Sequence, residues 1–234
     1  MKYKRILLKI SGEVLGGPDG VGADSAEVFA ICKAVSGLIK KGVQVAIVVG
    51  GGNFWRYRDN ALLPLSRSAS DSMGMLATMM NAKLLEEAFW SLGIKAKALA
   101  AHGHSYFMED YSPSKGEHFL KKGSVVILGG GTGNPYFTTD TAAALRALEL
   151  SCNVLVKDTK VDGIYDSDPK KNKKAKFFPK ISYDDFLDLG LGVMDLSAVL
   201  LAKENSLPVH VFNGRVDGNL LKVVSGKKIG SIIS

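Results

Sequence analysis

A chain of 234 residues, 46% hydrophobic and 23% charged, can bury a core without disulfides or metals and has the composition of an ordinary globular protein. It contains no run of about 18 apolar residues, which excludes a membrane-spanning helix and points to a cytoplasmic protein. Its formal net charge of +7 favours anionic partners: nucleotides, phosphates, nucleic acid or anionic lipid.

The N-terminus, MKYKRILLKISGE, begins like a signal peptide. Its apolar run is too short and Lys9 breaks it, so residues 5–10 read as a first buried strand. Asp24 and Glu27 form a capping box. The helix behind it carries Val28, Ile31, Val35, Leu38 and Ile39 on one face. Gly42 ends that helix, and 43–49 is a second strand. A long helix around 70–92 places Met73, Leu76, Met80, Leu84 and Ala88 on one face, before a strand at 94–100. Ser112-Pro113 predicts an N-cap and first helical position, with the helix running to about 121. Strand 125–128, a glycine-rich stretch 129–133, helix 139–150 and strand 153–157 follow. The last third predicts helices from Ser182 and near 195–205, a strand at 208–212 and a helix at 217–225. Buried strands alternating with helices mean an α/β fold, with a mostly parallel sheet covered on both faces. No repeat of 20–50 residues is visible. Composition shifts near 150, giving an N-terminal half 1–150 and a C-terminal half 151–234 that share one sheet.

Cys32 and Cys152 sit in apolar patterns outside any CxxC and read as buried, unreactive thiols. The segment from Lys170 to Lys176 holds five lysines but no interleaved aromatics, so it reads as a solvated loop rather than a nucleic-acid platform.

Ligands of open α/β sheets bind at the carboxyl ends of strands. Three such ends are unusual here: Lys9-Ile10-Ser11-Gly12, Gly50-Gly51-Gly52-Asn53, and Gly129-Gly130-Gly131-Thr132-Gly133. Glycine lets backbone N–H groups approach an anion closely. Two Gly-Gly-Gly turns, each directly after an apolar strand, point to phosphate binding. No G-x-x-x-x-G-K-[ST] and no G-x-G-x-x-G is present, so the cradle is neither a P-loop nor a dinucleotide site. Lys9 and Lys157 each lie near the end of an apolar strand, a costly position unless an anion meets the ammonium. Asp71 and Asp140 are candidate partners, Asp140 in a first helical turn where a carboxylate is favoured.

Six segments resemble the bacterial UMP kinase family: KRILLKISGE from Lys4, VGGGNFWR from Val49, DSMGMLATMMN from Asp71, GTGNPYFTTD from Gly131, TKVDGIYDSDP from Thr159 and VMDL from Val193. They occur in family order and span nearly the whole chain. The resemblance implies a three-layer α/β/α sandwich of the amino-acid-kinase fold and a homohexamer. It implies transfer of the ATP γ-phosphoryl group to UMP, giving UDP and ADP for pyrimidine nucleotide biosynthesis. Mg²⁺ would be bound mainly through the nucleotide phosphates, with no protein metal site. ATP would meet Lys9, Ile10, Ser11, Gly12, Gly52, Arg56, Thr159, Tyr165 and Asp168. UMP would meet Gly51, Asp71, Thr132, Gly133, Asn134, Pro135, Tyr136, Phe137, Thr138 and Thr139. UMP and the phosphates would thus fall mostly to 1–150, and the ATP nucleoside to 151–234. GTP activation and UTP inhibition are family features, and Gly17–Gly22 resembles a loop linked to GTP; Glu86 and Glu87 argue against a triphosphate nearby. Tyr57 stands where the family often has Gly, Asp158 replaces a small residue, and 102–122 match poorly.

The catalytic residues expected are Lys9, to neutralise the transferring phosphoryl group, Asp140, to fix Lys9, and Lys157 as a second cation. The attacking phosphate oxygen is already ionised, so His102, His104, His118 and His210 need no role as bases. Rival readings are a carboxylate or carbamate kinase of the same fold, a nucleic-acid binder, and a nicotinamide oxidoreductase. The first lacks reason for GTGNPYFTTD, and the last lacks its fingerprint.

Overall fold

The computed structural model describes residues 1–56, 65–102 and 106–234; Tyr57 and His104 lie outside them. In chain order the elements are β1 (Arg5–Ile10), α1 (Gly12–Leu15), α2 (Ser25–Ile39), β2 (Gln44–Val49), α3 (Arg67–Ser91), β3 (Ala96–Ala100), β4 (Glu109–Asp110), α4 (Pro113–Lys121), β5 (Val125–Gly129) and α5 (Thr139–Glu149). Then come β6 (Val154–Thr159), β7 (Ile164–Tyr165), β8 (Phe177–Phe178), β9 (Lys180–Ile181), α6 (Tyr183–Asp188), α7 (Leu196–Glu204), β10 (Val209–Asn213), α8 (Asn219–Val224) and β11 (Ser231–Ile233).

Nine strands form one sheet in the order β4-β3-β5-β2-β1-β6-β10-β11-β9. Its pairs are parallel except β10 with β11. Leu8, Val45, Ile47 and Val156 bury against α2, α3 and α8. Leu7, Val48, Val126 and Leu155 bury against α4 to α7. Burial on both faces explains the near-continuous apolar runs of β1, β2 and β5, and the result is the three-layer α/β/α sandwich expected.

The central strands and most helices fall where the periodicity puts them. Ser112 caps α4 and Ser182 caps α6, each accepting a backbone N–H three residues on. Asp24 caps α2 by accepting the Glu27 N–H, but its own N–H donates to the Leu15 carbonyl, not to Glu27. Cys32 is buried and Cys152 partly so, and burial pushes both thiols up to about 12.

The long helix α3 corrects the reading of its face. Leu76 and Met80 are 60% and 55% exposed, and Met73 is exposed too. The buried side is Ala77, Thr78, Asn81, Ala82, Leu85, Glu86, Ala88 and Phe89. The reason is close approach. A Cβ on Gly51 would lie 2.8 Å from Ala77 Cβ and from the Gly74 carbonyl oxygen, and one on Gly129 would lie 2.9 Å from Met79 Cα. Only small or hydrogen-bonding side chains fit where α3 meets the glycine turns, so Met73, Leu76 and Met80 face outward there, while Leu84 and Ala88 pack against the core as the periodicity puts them.

Candidate active site

The chain leaves β5 through the second glycine turn and returns in α5, which packs under β1, β2 and β6. That crossover carries the N-terminus of α5 to the carboxyl ends of the two central strands. Lys9 and Lys157 are directly paired across the β1–β6 ladder, so both side chains project from the same face. Asp140, in the first turn of α5, sits between them. Its Oδ1 lies 2.8 Å from Lys9 Nζ, and its Oδ2 accepts a hydrogen bond from Lys157 Nζ. All three residues are buried. Burial pushes the Asp140 carboxyl up, but the two ammonium groups outweigh it and hold it below its ordinary value. Burial, with the charge of Lys9, pulls the Lys157 ammonium down to about 8 against the attraction of Asp140. Two cations sharing one carboxylate leave a net positive charge at the strand ends.

The glycine turns flank this cluster. A Cβ on Gly12 would come within 2.6 Å of the Gly50 carbonyl oxygen and 2.7 Å of the Gly52 nitrogen. The loop after β1 therefore lies against the turn after β2, with Gly50 N–H donating to the Ile10 carbonyl. Ile10 has its side chain in the core, so at this turn it can offer only its backbone. Ser11 is the N-cap of α1 without a capping side-chain bond. Arg56 Nε donates to the Gly52 carbonyl at 2.5 Å, and its Nη2 lies 3.4 Å from Glu13. The second turn places Gly130, Gly131 and Gly133 at positive φ, followed by Tyr136 at 72°.

One cleft of about 160 Å³ gathers Gly51, Gly52, Asp71, Thr132, Asn134, Phe137, Thr138 and Thr139. Asp71 Oδ2 accepts the Tyr136 N–H at 2.8 Å, and Arg67 Nε bonds both carboxylate oxygens at 2.9 Å. This ties α3 to the 132–139 run. Gly133, Pro135 and Tyr136 shape that run without lining the cleft; a Cβ on Gly133 would meet the His102 ring. Thr138 caps α5 and its hydroxyl donates to Asp195.

Thr159, Tyr165 and Asp168 stand apart from the cleft, along the end of β6 and the β7–β8 hairpin. The Thr159 hydroxyl donates to the Val161 carbonyl at 2.7 Å, the Tyr165 ring packs on Phe177, and Asp168 Oδ1 accepts the Lys170 N–H.

Several supports escaped the sequence reading. Thr78 Oγ1 accepts the Gly130 N–H at 2.7 Å. Asn81 Nδ2 donates to the Gly50 carbonyl at 2.7 Å, and the Asn81 and Asn53 amides pair reciprocally in the interior. Trp55 Nε1 donates to Ser70, both in the cleft wall. Arg146, buried, stacks on Tyr111 and donates to the Gly131 carbonyl. The available signal was Thr78 and Asn81, polar residues three apart on the small-residue side of α3.

The sequence profile described as the amino acid kinase family matches residues 4–213. The chain belongs to the amino acid kinase family. Within that family it is 47% identical, over 96% of this chain and 94% of the other, to a uridylate kinase of Rickettsia bellii. Its fold superposes on the crystal structure of UMP kinase from Bacillus anthracis with a TM-score of 0.97 at 33% identity, covering 100% of this chain and 97% of that one. The UMP kinase of Ureaplasma parvum gives 0.91 at 36% identity with both chains fully covered. The two glycine turns and the Lys9–Asp140–Lys157 cluster all fall inside the stretch matched by the amino acid kinase profile.

Proposed function

We propose that this kinase transfers the γ-phosphoryl group of ATP to UMP, giving UDP and ADP. The observation that carries the reading is the Lys9–Asp140–Lys157 cluster, buried at the ends of β1 and β6 and flanked by the glycine turns after β2 and β5. The acceptor oxygen of UMP is an ionised phosphate oxygen, so it attacks the γ-phosphorus in line without a base, and ADP leaves. Lys9 and Lys157 meet the charge that develops on the transferring group, and Asp140 aims both. Backbone N–H groups of Gly51, Gly52 and the 131–133 turn hold the two phosphate chains in line.

UMP takes the cleft of Gly51, Asp71 and the 132–139 run; ATP takes Lys9 to Gly12, Gly52, Arg56 and the side of Thr159, Tyr165 and Asp168. This puts UMP and the phosphates in 1–150 and the ATP nucleoside side in 151–234. Mg²⁺ would ride on the nucleotide phosphates, where it would add positive charge beside Lys9. The exposed Met73, Leu76 and Met80 on α3 support a homo-oligomer; a hexamer, with GTP as activator and UTP as inhibitor, is what the resemblance of the sequence implies. No helix among the described residues is long and apolar enough to cross a membrane, and the reading needs neither a membrane nor nucleic acid in a cytoplasmic setting.

The test is a coupled ADP-release assay with UMP, CMP, dUMP and a set of carboxylate and carbamate acceptors. Release that depends on UMP supports the reading; release that depends on a carboxylate or carbamate and not on UMP refutes it.

A further inference from the structure

Strand β6 bears charge on both faces. Lys157 faces the α5 layer, and Asp158, the next residue, faces the opposite layer as strand alternation requires. There Asp158 lines a cavity of about 390 Å³ between α2 and α8, a volume suited to a small molecule. The walls are apolar: Leu8, Ile10, Ile31, Phe212, Leu220 and Leu221. Asp158 Oδ1 accepts the Gly214 N–H at 3.1 Å. Among the described residues that is its one hydrogen bond, and no ion pair reaches it. Gly214 is needed for this contact, since a Cβ there would lie 2.1 Å from Asp158 Oδ1.

The charges at the rim cancel. Glu27 and Lys33 come from α2, Arg215 and Asp217 from the turn between β10 and α8. Asp158 is then the charged side chain left among the apolar walls. Burial pushes this carboxyl up to about 6; the Gly214 N–H, Lys9 and Arg215 oppose the rise and Glu27 adds to it. It is therefore ionised at neutral pH, with an oxygen still lacking a donor. A carboxylate among apolar walls gains most from a ligand that brings both a charge and apolar surface.

We propose that the α2–α8 cavity is a binding site for an organic monocation, an amidinium, guanidinium or ammonium on a flat apolar body, seated on Asp158. The site is on the far side of the sheet from the phosphate cluster and does not depend on which phosphate acceptor the kinase uses. Because Asp158 lies between Lys157 and Thr159 in β6, an occupant would press on a strand that serves the nucleotide, the position of an effector.

Benzamidine is the probe and benzamide its uncharged isostere, titrated by calorimetry and by amide NMR of the full chain. At pH 7.5 benzamidine should bind saturably, and benzamide at least tenfold more weakly. Asp158→Asn can still accept the Gly214 N–H, and should weaken benzamidine at least tenfold. Ala34→Phe, a change on an exposed wall residue, should weaken it as well by filling the cavity. At pH 5 a group titrating near 6 is about one-tenth ionised, so affinity should drop roughly tenfold. Equal affinity for the two probes, affinity unchanged by both substitutions, or no saturable binding of benzamidine would each overturn the proposal.

Discussion

Replacing Lys9 by Met removes one of the two ammonium groups on Asp140. Lys9 Nζ lies 2.8 Å from Asp140 Oδ1, and Lys157 Nζ holds the other oxygen. The substitution leaves Asp140 paired, so no buried charge is orphaned and the fold should survive. Removing Asp140 instead would strand two buried cations, at a cost of about 3–5 kcal/mol. A unit charge about 4 Å from its partner is worth about 4 kcal/mol at an effective dielectric near 20. Only the part that grows in the transition state affects turnover, and one lost preorganised group typically costs about 3 kcal/mol. That corresponds to roughly a 10²-fold fall in kcat. The pH profile separates charge from shape. Lys157 is pulled down to about 8 by burial and then by Lys9. The kcat/KM of the native enzyme should therefore fall above about pH 8 as Lys157 loses its proton. Without Lys9 the Lys157 value rises, and the alkaline limb should move to higher pH while the plateau drops. The assay is coupled ADP release with UMP across about pH 6.5 to 9.5, with circular dichroism confirming the fold. Turnover near the native rate in folded Lys9→Met, or an alkaline limb that stays in place, would refute this account.

Asp71→Asn weakens acceptance of the Tyr136 N–H and of ribose hydroxyls, so kcat/KM for UMP should fall by about 1–3 kcal/mol, with KM for ATP changing less. It should also narrow the gap between UMP and dUMP; equal discrimination before and after would exclude Asp71 from reading the sugar. Thr78→Val keeps the volume but strands the buried Gly130 N–H, which should cost about 1–3 kcal/mol in thermal unfolding and raise KM for UMP more than KM for ATP. Replacing Lys173 and Lys174 by Ser should leave the rate within about threefold, as exposed positions do; a collapse without unfolding would mean that this loop closes over the nucleotide.

The sandwich was legible because β1, β2 and β5 are apolar on both faces, α2 announces itself by period and cap, and α4 by its Ser-Pro cap. The short strands β4, β7, β8, β9 and β11 were not, since two or three residues carry no period. Lys9 and Lys157 could be singled out because an ammonium at the end of an apolar strand needs a reason. That both converge on Asp140 depended on the β1–β6 register and the course of α5, which no local pattern states. The α3 face was misread because hydrophobicity ranks Met73, Leu76 and Met80 above Ala77 and Thr78, whereas contact with a glycine turn selects for small size. Thr78, Asn81 and Arg146 act on backbone groups of distant glycines, and a side chain bonded to a peptide group leaves no complementary residue to find.

Thr78 grips one glycine turn and Asn81 the other, and they are three residues apart on one helix, about 4.5 Å along its axis. The helix works as a jig: the cradles for donor and acceptor are clamped to one rod and cannot drift apart independently. Any tilt of α3 carries both together, so their spacing would outlast motions of the surrounding loops. The same mounting frees the 132–139 run to vary in what it grasps, because alignment for transfer is kept elsewhere.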